Sequence, residues 1–255
     1  MDALIGCTGF VGSTLQRQRS FAAGFRSTNI ASIRGQSFAE IVCAGAPAKK
    51  WLANQDPDSD LASIQGLMSH LEQVSCERFV LISTVDVFPE PVAVDEESPI
   101  DQSQLQPYGR HRRMLEQFVA DRFPDHLIVR LPGLVGPGLQ KNAIFDLHNN
   151  NQLEKIDGRA RFQFYPMVNL HADLQRAQAL GLSLLHLTAA PLAMADVAES
   201  CFGIQHRVEL PVTPASYDFR SRHAVQMGGA GVYQYSERES VTAIRCYAQS
   251  EPRKA

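Results

Sequence analysis

No apolar run in this 255-residue chain approaches the length needed to cross a bilayer, so no membrane helix is expected. No basic segment precedes the first apolar run, and no signal peptide is predicted. No C-x-x-C spacing links the five cysteines, Cys7, Cys43, Cys76, Cys201 and Cys246. Scattered and odd in number, they argue against a zinc site and a disulfide framework, and they fit a reducing cytoplasm. An excess of one charge is also missing. The formal net charge is −3, which offers no footing for nucleic acid or an anionic membrane surface. There are no internal repeats and no low-complexity tracts. With 44% hydrophobic and 20% charged residues, the chain has an ordinary globular composition. Its length suits one large α/β domain with a small lobe.

What is present starts with Gly6-Cys7-Thr8-Gly9-Phe10-Val11-Gly12, after the apolar run Ala3-Leu4-Ile5 and before Ser13-Thr14-Leu15. Strand, glycine turn and helix start come in that order. Glycine allows the positive φ and close backbone approach such a turn needs. The helix that follows points its free amides and positive dipole end back at the turn, which suits a pyrophosphate. The G-x-x-G-x-x-G spacing is one residue longer in its first gap than the common dinucleotide fingerprint. Gly6, Thr8, Gly9, Phe10, Val11 and Gly12 are therefore candidate cofactor residues.

An acidic residue about 20 positions after such glycines would take the ribose hydroxyls of NAD. None occurs between Asp2 and Glu40, whereas Arg26 and Arg34 do. An arginine near the end of the second strand (22–26) accepts a 2′-phosphate, so the pattern favours NADP. The plainer alternative is that both arginines are solvated surface residues. The third strand, 39–43, runs into Cys43-Ala44-Gly45, small residues beside which a cofactor can lie.

Further on, 60–74 reads as a helix with Leu61, Ile64, Leu67, Met68 and Leu71 on one face. Asp56 to Asp60 forms its acidic start. The fourth strand, 78–84, is continuously apolar, as in a sheet covered on both faces, and ends in Ser83-Thr84. A loop rich in proline and acid spans 89–107. Tyr108-Gly109-Arg110-His111-Arg112 then opens a helix, and 126–131 is a fifth strand. Beyond Leu139 the pattern loosens. Helices are expected at 170–180, 194–202 and 237–247, and strands at 162–165 and 182–188. Alternating strands and helices predict a Rossmann-type, doubly wound parallel sheet with its ligand at the strands' C-terminal ends.

A phenol beside a hydroxyl and a cation is acid/base machinery. The cation favours phenolate, and the hydroxyl orients a substrate oxygen. Thr84, Tyr108 and Arg112 supply that set. Each also has a structural reading: a strand-end cap for Thr84, an amphipathic surface ring for Tyr108, and an exposed i,i+4 pair with Glu116 for Arg112.

Four segments keep one order: 6–13, Val80-Leu81-Ile82-Ser83-Thr84-Val85-Asp86-Val87-Phe88, Tyr108-Gly109-Arg110-His111-Arg112 and Arg130-Leu131-Pro132-Gly133-Leu134-Val135-Gly136-Pro137-Gly138. Over about residues 1 to 200 the chain resembles the extended short-chain dehydrogenase/reductase family, the epimerase/dehydratase group that works largely on sugar nucleotides. The resemblance implies a catalytic Thr84 and Tyr108. It places Arg112 where the family has the lysine beside the nicotinamide ribose. It also implies NAD or NADP as cofactor, a small-molecule substrate and a homodimer. The expected division is a dinucleotide core of 1–138, completed by 171–202, and a small substrate lobe of 139–170 and 203–255. The expected function is NAD(P)-dependent oxidoreduction or epimerisation of a hydroxyl or keto group on a sugar-like or nucleotide-sugar metabolite. The alternative is a non-catalytic dinucleotide-binding protein.

Overall fold

The structure, a computed structural model, describes residues 1–254. Its elements in chain order are β1 (Asp2–Ile5), α1 (Phe10–Gln18), β2 (Ala23–Phe25), β3 (Ser37–Cys43), α2 (Lys50–Gln55), α3 (Pro57–Leu71), β4 (Ser75–Thr84), β5 (Val92–Val94), α4 (Pro107–Arg122) and β6 (His126–Leu131). Then follow β7 (Gly133–Val135), α5 (Ala143–Asn149), β8 (Arg161–Phe162), β9 (Phe164–Pro166), α6 (Leu170–Ala179), β10 (Leu184–His186), β11 (Leu192–Ala193), α7 (Met194–Phe202), β12 (Asp218–Phe219) and α8 (Glu237–Ser250).

Six strands form one sheet in the order β10-β6-β4-β3-β1-β2. β1 runs parallel to both β2 and β3, and β3 runs parallel to β4. The chain leaves β1 toward β2 and then crosses back to β3 on the other side. That reversal puts the switch point of an α/β sheet at the C-terminal ends of β1 and β3. The expected parallel α/β fold is the one observed.

The sheet forms because its strands carry apolar side chains for both faces. Phe79, Val80, Leu81 and Ile82 of β4 are all buried. Ile64, Leu67 and Leu71 of α3 cover one face together with Leu115 and Val119 of α4. Phe79 and Phe123 stack with ring centroids 4.3 Å apart. Of the expected stripe on α3, Leu61 and Met68 are only half-buried.

Local chemistry moves some boundaries. α3 begins at Pro57 rather than Asp60. The Asp56 carboxylate accepts from the Ser59 amide at 3.2 Å, and proline fits the first helical position. α1 begins at Phe10, directly after the turn. α8 starts at a reciprocal capping box between Ser236 and Glu239 and runs on to Ser250. The 182–188 strand shortens to β10. Two helices were not anticipated. α2 has only six residues, too few to show a helical period, and α5 is seven residues long and capped by Asn142.

The chain divides into two compact units. One comprises Met1–Pro89, Ser98–Arg130 and Leu174–Leu185; the other comprises Glu90–Glu97, Leu131–Asp173 and the chain from His186 on. The second unit contains three two-stranded sheets: β11 with β8, β12 with β5, and β7 with β9. Within it the proline-rich loop supplies an anchor. Glu96 accepts from the His186 amide, the Ser221 hydroxyl and the Arg222 amide at 2.6–2.9 Å. Among the described residues no helix is long and apolar enough to cross a membrane, and no cluster of His, Cys, Asp and Glu has the form of a metal site.

Candidate active site

The glycine turn is fixed by contact. Gly6 has φ +80°, and a Cβ there would lie 2.3 Å from the Ala44 carbonyl oxygen. A Cβ on Gly12 would lie 2.1 Å from the Gly6 carbonyl oxygen. These two glycines therefore let α1 and the Cys43-Ala44-Gly45 segment close on the end of β1. Gly9 differs. It is exposed, and the nearest atom to its Cβ position is the Gly6 oxygen at 3.4 Å. Packing alone does not demand a glycine there; a bare backbone leaves the α1 terminus open. No side chain caps that terminus, and the first helical amides have no carbonyl a turn earlier to bond. Thr8 is exposed beside them, and Phe10 and Val11 are half-buried.

Arg26 is exposed just past β2, its amide donating to Asn29 Oδ1 at 2.7 Å. Arg34 instead donates from Nε to His70 Nδ1 at 2.9 Å. Of the two arginines considered for a phosphate, only Arg26 lies at the end of the second strand.

At β4 the strand's alternation sends two hydroxyls to different partners. Ser83 donates to Glu116 Oε1 at 2.6 Å in the core. Thr84 lies beside the Tyr108 phenol and donates its own hydroxyl to Asp86 Oδ2 at 3.2 Å. What brings Tyr108 there is the next residue. A Cβ on Gly109 would lie 2.0 Å from the Asp86 carbonyl oxygen, so only glycine allows the first turn of α4 to rest on the turn after β4. Tyr108 is nearly buried at 8% exposure. Burial pushes its pKa up; Arg112 opposes that rise, Asp86 adds to it, and Lys50 and the neighbouring Thr84 hydroxyl oppose it.

Arg112 stands over the Tyr108 ring, its guanidinium carbon 3.9 Å from the centroid. It is buried, and its head is committed. Both terminal nitrogens bond the Asp60 carboxylate, one of them at 2.8 Å to Oδ1, and the Pro47 carbonyl accepts another bond. The alternative reading, an exposed pair with Glu116, is not what forms. Glu116 is fully buried and takes Arg130 at 2.7 and 2.9 Å, Arg113 at 2.9 Å and Ser83. His111 also donates to Asp60, at 2.7 Å. Burial raises the Asp60 pKa, but hydrogen bonds from Arg112 and His111 outweigh it and hold the carboxyl below its usual range.

Three neighbours of Tyr108 escaped the sequence reading. Lys50 bonds Asp86 Oδ1 at 2.7 Å. Asn54 accepts from the Tyr108 amide at 3.0 Å and donates to Gln106 Oε1 at 2.6 Å. Lys50 and Asn54 lie on α2, which is too short to declare itself. Asp60 was read only as part of an acidic helix start; the pair of basic residues at 111 and 112 was its one signal.

No protein-family model matches the sequence, and neither does any curated protein. Solved structures do match. An NAD-dependent NDP-hexosamine 5,6-dehydratase of tunicamycin biosynthesis aligns with TM-score 0.72 and 16% identity over 98% of each chain. A UDP-galactose 4-epimerase aligns at 0.71 and 15%, also over 98% of each. A dTDP-4-dehydrorhamnose reductase from Bacillus anthracis, in complex with NADP, aligns at 0.71 and 16% over 96% of each. The chain shares the fold of these structures. Within that fold this chain places an arginine, already paired with a buried aspartate, where the sequence resemblance puts a lysine.

Proposed function

We propose that the chain is an NAD(P)-dependent oxidoreductase or epimerase acting on a hydroxyl or keto group of a nucleotide sugar. The carrying observation is Tyr108. It is a buried phenol beside the Thr84 hydroxyl and overlaid by the Arg112 cation, at the sheet edge that also carries the glycine turn.

The residues fit a dinucleotide. The open α1 terminus at Gly9, Phe10, Val11 and Gly12, with Thr8 beside it, suits the pyrophosphate. The small backbone at Cys43, Ala44 and Gly45 flanks the same turn. Arg26 suits a 2′-phosphate, which favours NADP. When bound, the nicotinamide supplies the donor or acceptor for a hydride.

The chain's own residues move the proton. Tyr108 Oη takes it from a substrate hydroxyl in oxidation and returns it to the oxygen in reduction. Thr84 Oγ1 orients that oxygen. Arg112 favours the phenolate from the ring face and fixes the ring, its charge balanced by Asp60. The nucleotide-sugar class is supported by the structural neighbours, whose own substrates are of that kind.

Incubation with UDP- and dTDP-hexoses and each dinucleotide tests this reading. Expected is a change in reduced-nicotinamide absorbance, or an epimeric product with catalytic dinucleotide. Binding of dinucleotide with no turnover of any hydroxyl or keto sugar would favour the non-catalytic alternative.

A further inference from the structure

The Tyr108 phenol is nearly buried, so a proton it takes up must have a route out. The structure offers one through Thr84, Asp86 and Lys50. Thr84 stands beside the phenol, and its Oγ1 donates to Asp86 Oδ2 at 3.2 Å. The Asp86 amide donates back to Thr84 Oγ1 at 3.2 Å, which holds the hydroxyl in line at the start of the turn after β4. The other Asp86 oxygen meets Lys50 Nζ at 2.7 Å. Exposure rises along this row, from 8% at Tyr108 to 19% for the Asp86 side chain and 45% for that of Lys50. The outer end is held in place as well. Asn54, one turn after Lys50, bonds the Tyr108 amide and so ties α2 to the start of α4.

We propose that Thr84, Asp86 and Lys50 form the proton route between Tyr108 and solvent, with Asp86 as its relay and Lys50 as the cation that positions it. The proposal rests on the reading of Tyr108 as acid/base.

In the oxidative direction Tyr108 Oη holds the proton taken from the substrate. The Oη–H bond breaks and an H–Oγ1 bond forms on Thr84. The original Thr84 proton passes at once to Asp86 Oδ2, and the carboxyl then releases it to water. Thr84 ends neutral, Asp86 ends as carboxylate, and Tyr108 is again phenolate. Reduction runs the same transfers in reverse. Arg112 has no such path, because its head is closed by Asp60 and Pro47. The position that resembles the family's lysine is thus occupied by a structural pair, while a lysine from α2 faces the phenol's other neighbour.

The charged groups around the phenol are Arg112, Asp86 and Lys50. Removing Lys50 takes away a positive charge and raises the phenol's pKa. Removing the Asp86 charge lowers it. The test uses Lys50→Gln and Asp86→Asn beside wild type and Tyr108→Phe. Tyrosinate absorbance of the dinucleotide-free proteins, with the Tyr108→Phe curve subtracted, isolates Tyr108 from the other five tyrosines. The isolated titration should move to higher pH in Lys50→Gln and to lower pH in Asp86→Asn. In turnover, Asp86→Asn should lose about tenfold or more in kcat with KM little changed, within the usual range for proton-transfer groups. Its solvent deuterium isotope effect should grow, and added formate or acetate should restore part of the rate.

Lys50→Gln removes only a half-exposed ion pair, worth at most about 1 kcal/mol, so it folds even where Asp86→Asn does not. Unmoved Tyr108 titration and a wild-type isotope effect in Lys50→Gln, with Tyr108→Phe inactive, would overturn the route and leave the active-site reading standing. Full turnover by Tyr108→Phe would overturn both.

Discussion

The Tyr108→Phe variant is expected to lose turnover by roughly 10²–10⁴-fold while keeping its affinity for dinucleotide. That is about 2.7–5.5 kcal/mol of transition-state stabilisation. The expectation follows from what the substitution leaves intact. The phenylalanine ring still packs under Arg112 and still fills a nearly closed site. Gly109 still lets α4 rest on Asp86, and the glycine turn lies on other strands. Only the ionisable oxygen beside Thr84 is gone. Steady-state rates with a turned-over nucleotide sugar, beside calorimetric dinucleotide binding, check both halves. Equal loss of binding and rate would mean that Tyr108 shapes the pocket rather than moving a proton.

Glu116→Ala should be the most damaging substitution for stability. Glu116 is fully buried, and it takes two bonds from Arg130, which is itself 2% exposed. It also accepts from Ser83 and Arg113. Removing one partner of such a pair leaves a buried guanidinium uncompensated and costs about 3–5 kcal/mol. For a chain of this size that is a fall in melting temperature of roughly 6–20 °C. A thermal melt followed by circular dichroism measures it. The half-exposed Lys50–Asp86 pair is the internal comparison, since breaking a pair of that kind costs about 1 kcal/mol or less. A Glu116→Ala melt within a degree or two of wild type would show that Arg130 finds other partners or water.

The parts of this molecule that were legible in the sequence are those written locally. The glycine turn needs seven consecutive residues, and the middle of β4, Phe79 to Ile82, is one unbroken apolar run. The segments carrying Thr84 and Tyr108 could be placed at one sheet edge because strand and helix order already fixes the sheet. α7 was bounded correctly at both ends, by the chain following Pro191 and by Gly203 in the left-handed conformation.

What escaped is pairing across distance. Asp60 and Arg112 are 52 positions apart, and nothing local distinguishes a buried Asp60 from the solvated acids around it. Arg112 and Glu116 have the spacing of a surface pair, yet both are buried and each takes a partner from elsewhere in the unit. Lys50 belongs to a helix too short to carry a period, so its approach to Asp86 is visible only in three dimensions. Arg26 and Arg34 read alike in the sequence, and only the structure ties Arg34 to His70.

Calorimetric titration of the purified protein with NAD, NADH, NADP and NADPH tests the central claim most directly. The account predicts micromolar binding, tighter for the phosphorylated pair, with that preference reduced in Arg26→Ala. Absence of binding by all four would contradict it: the open α1 terminus and the Tyr108 site would then lack the cofactor on which the proposed chemistry depends.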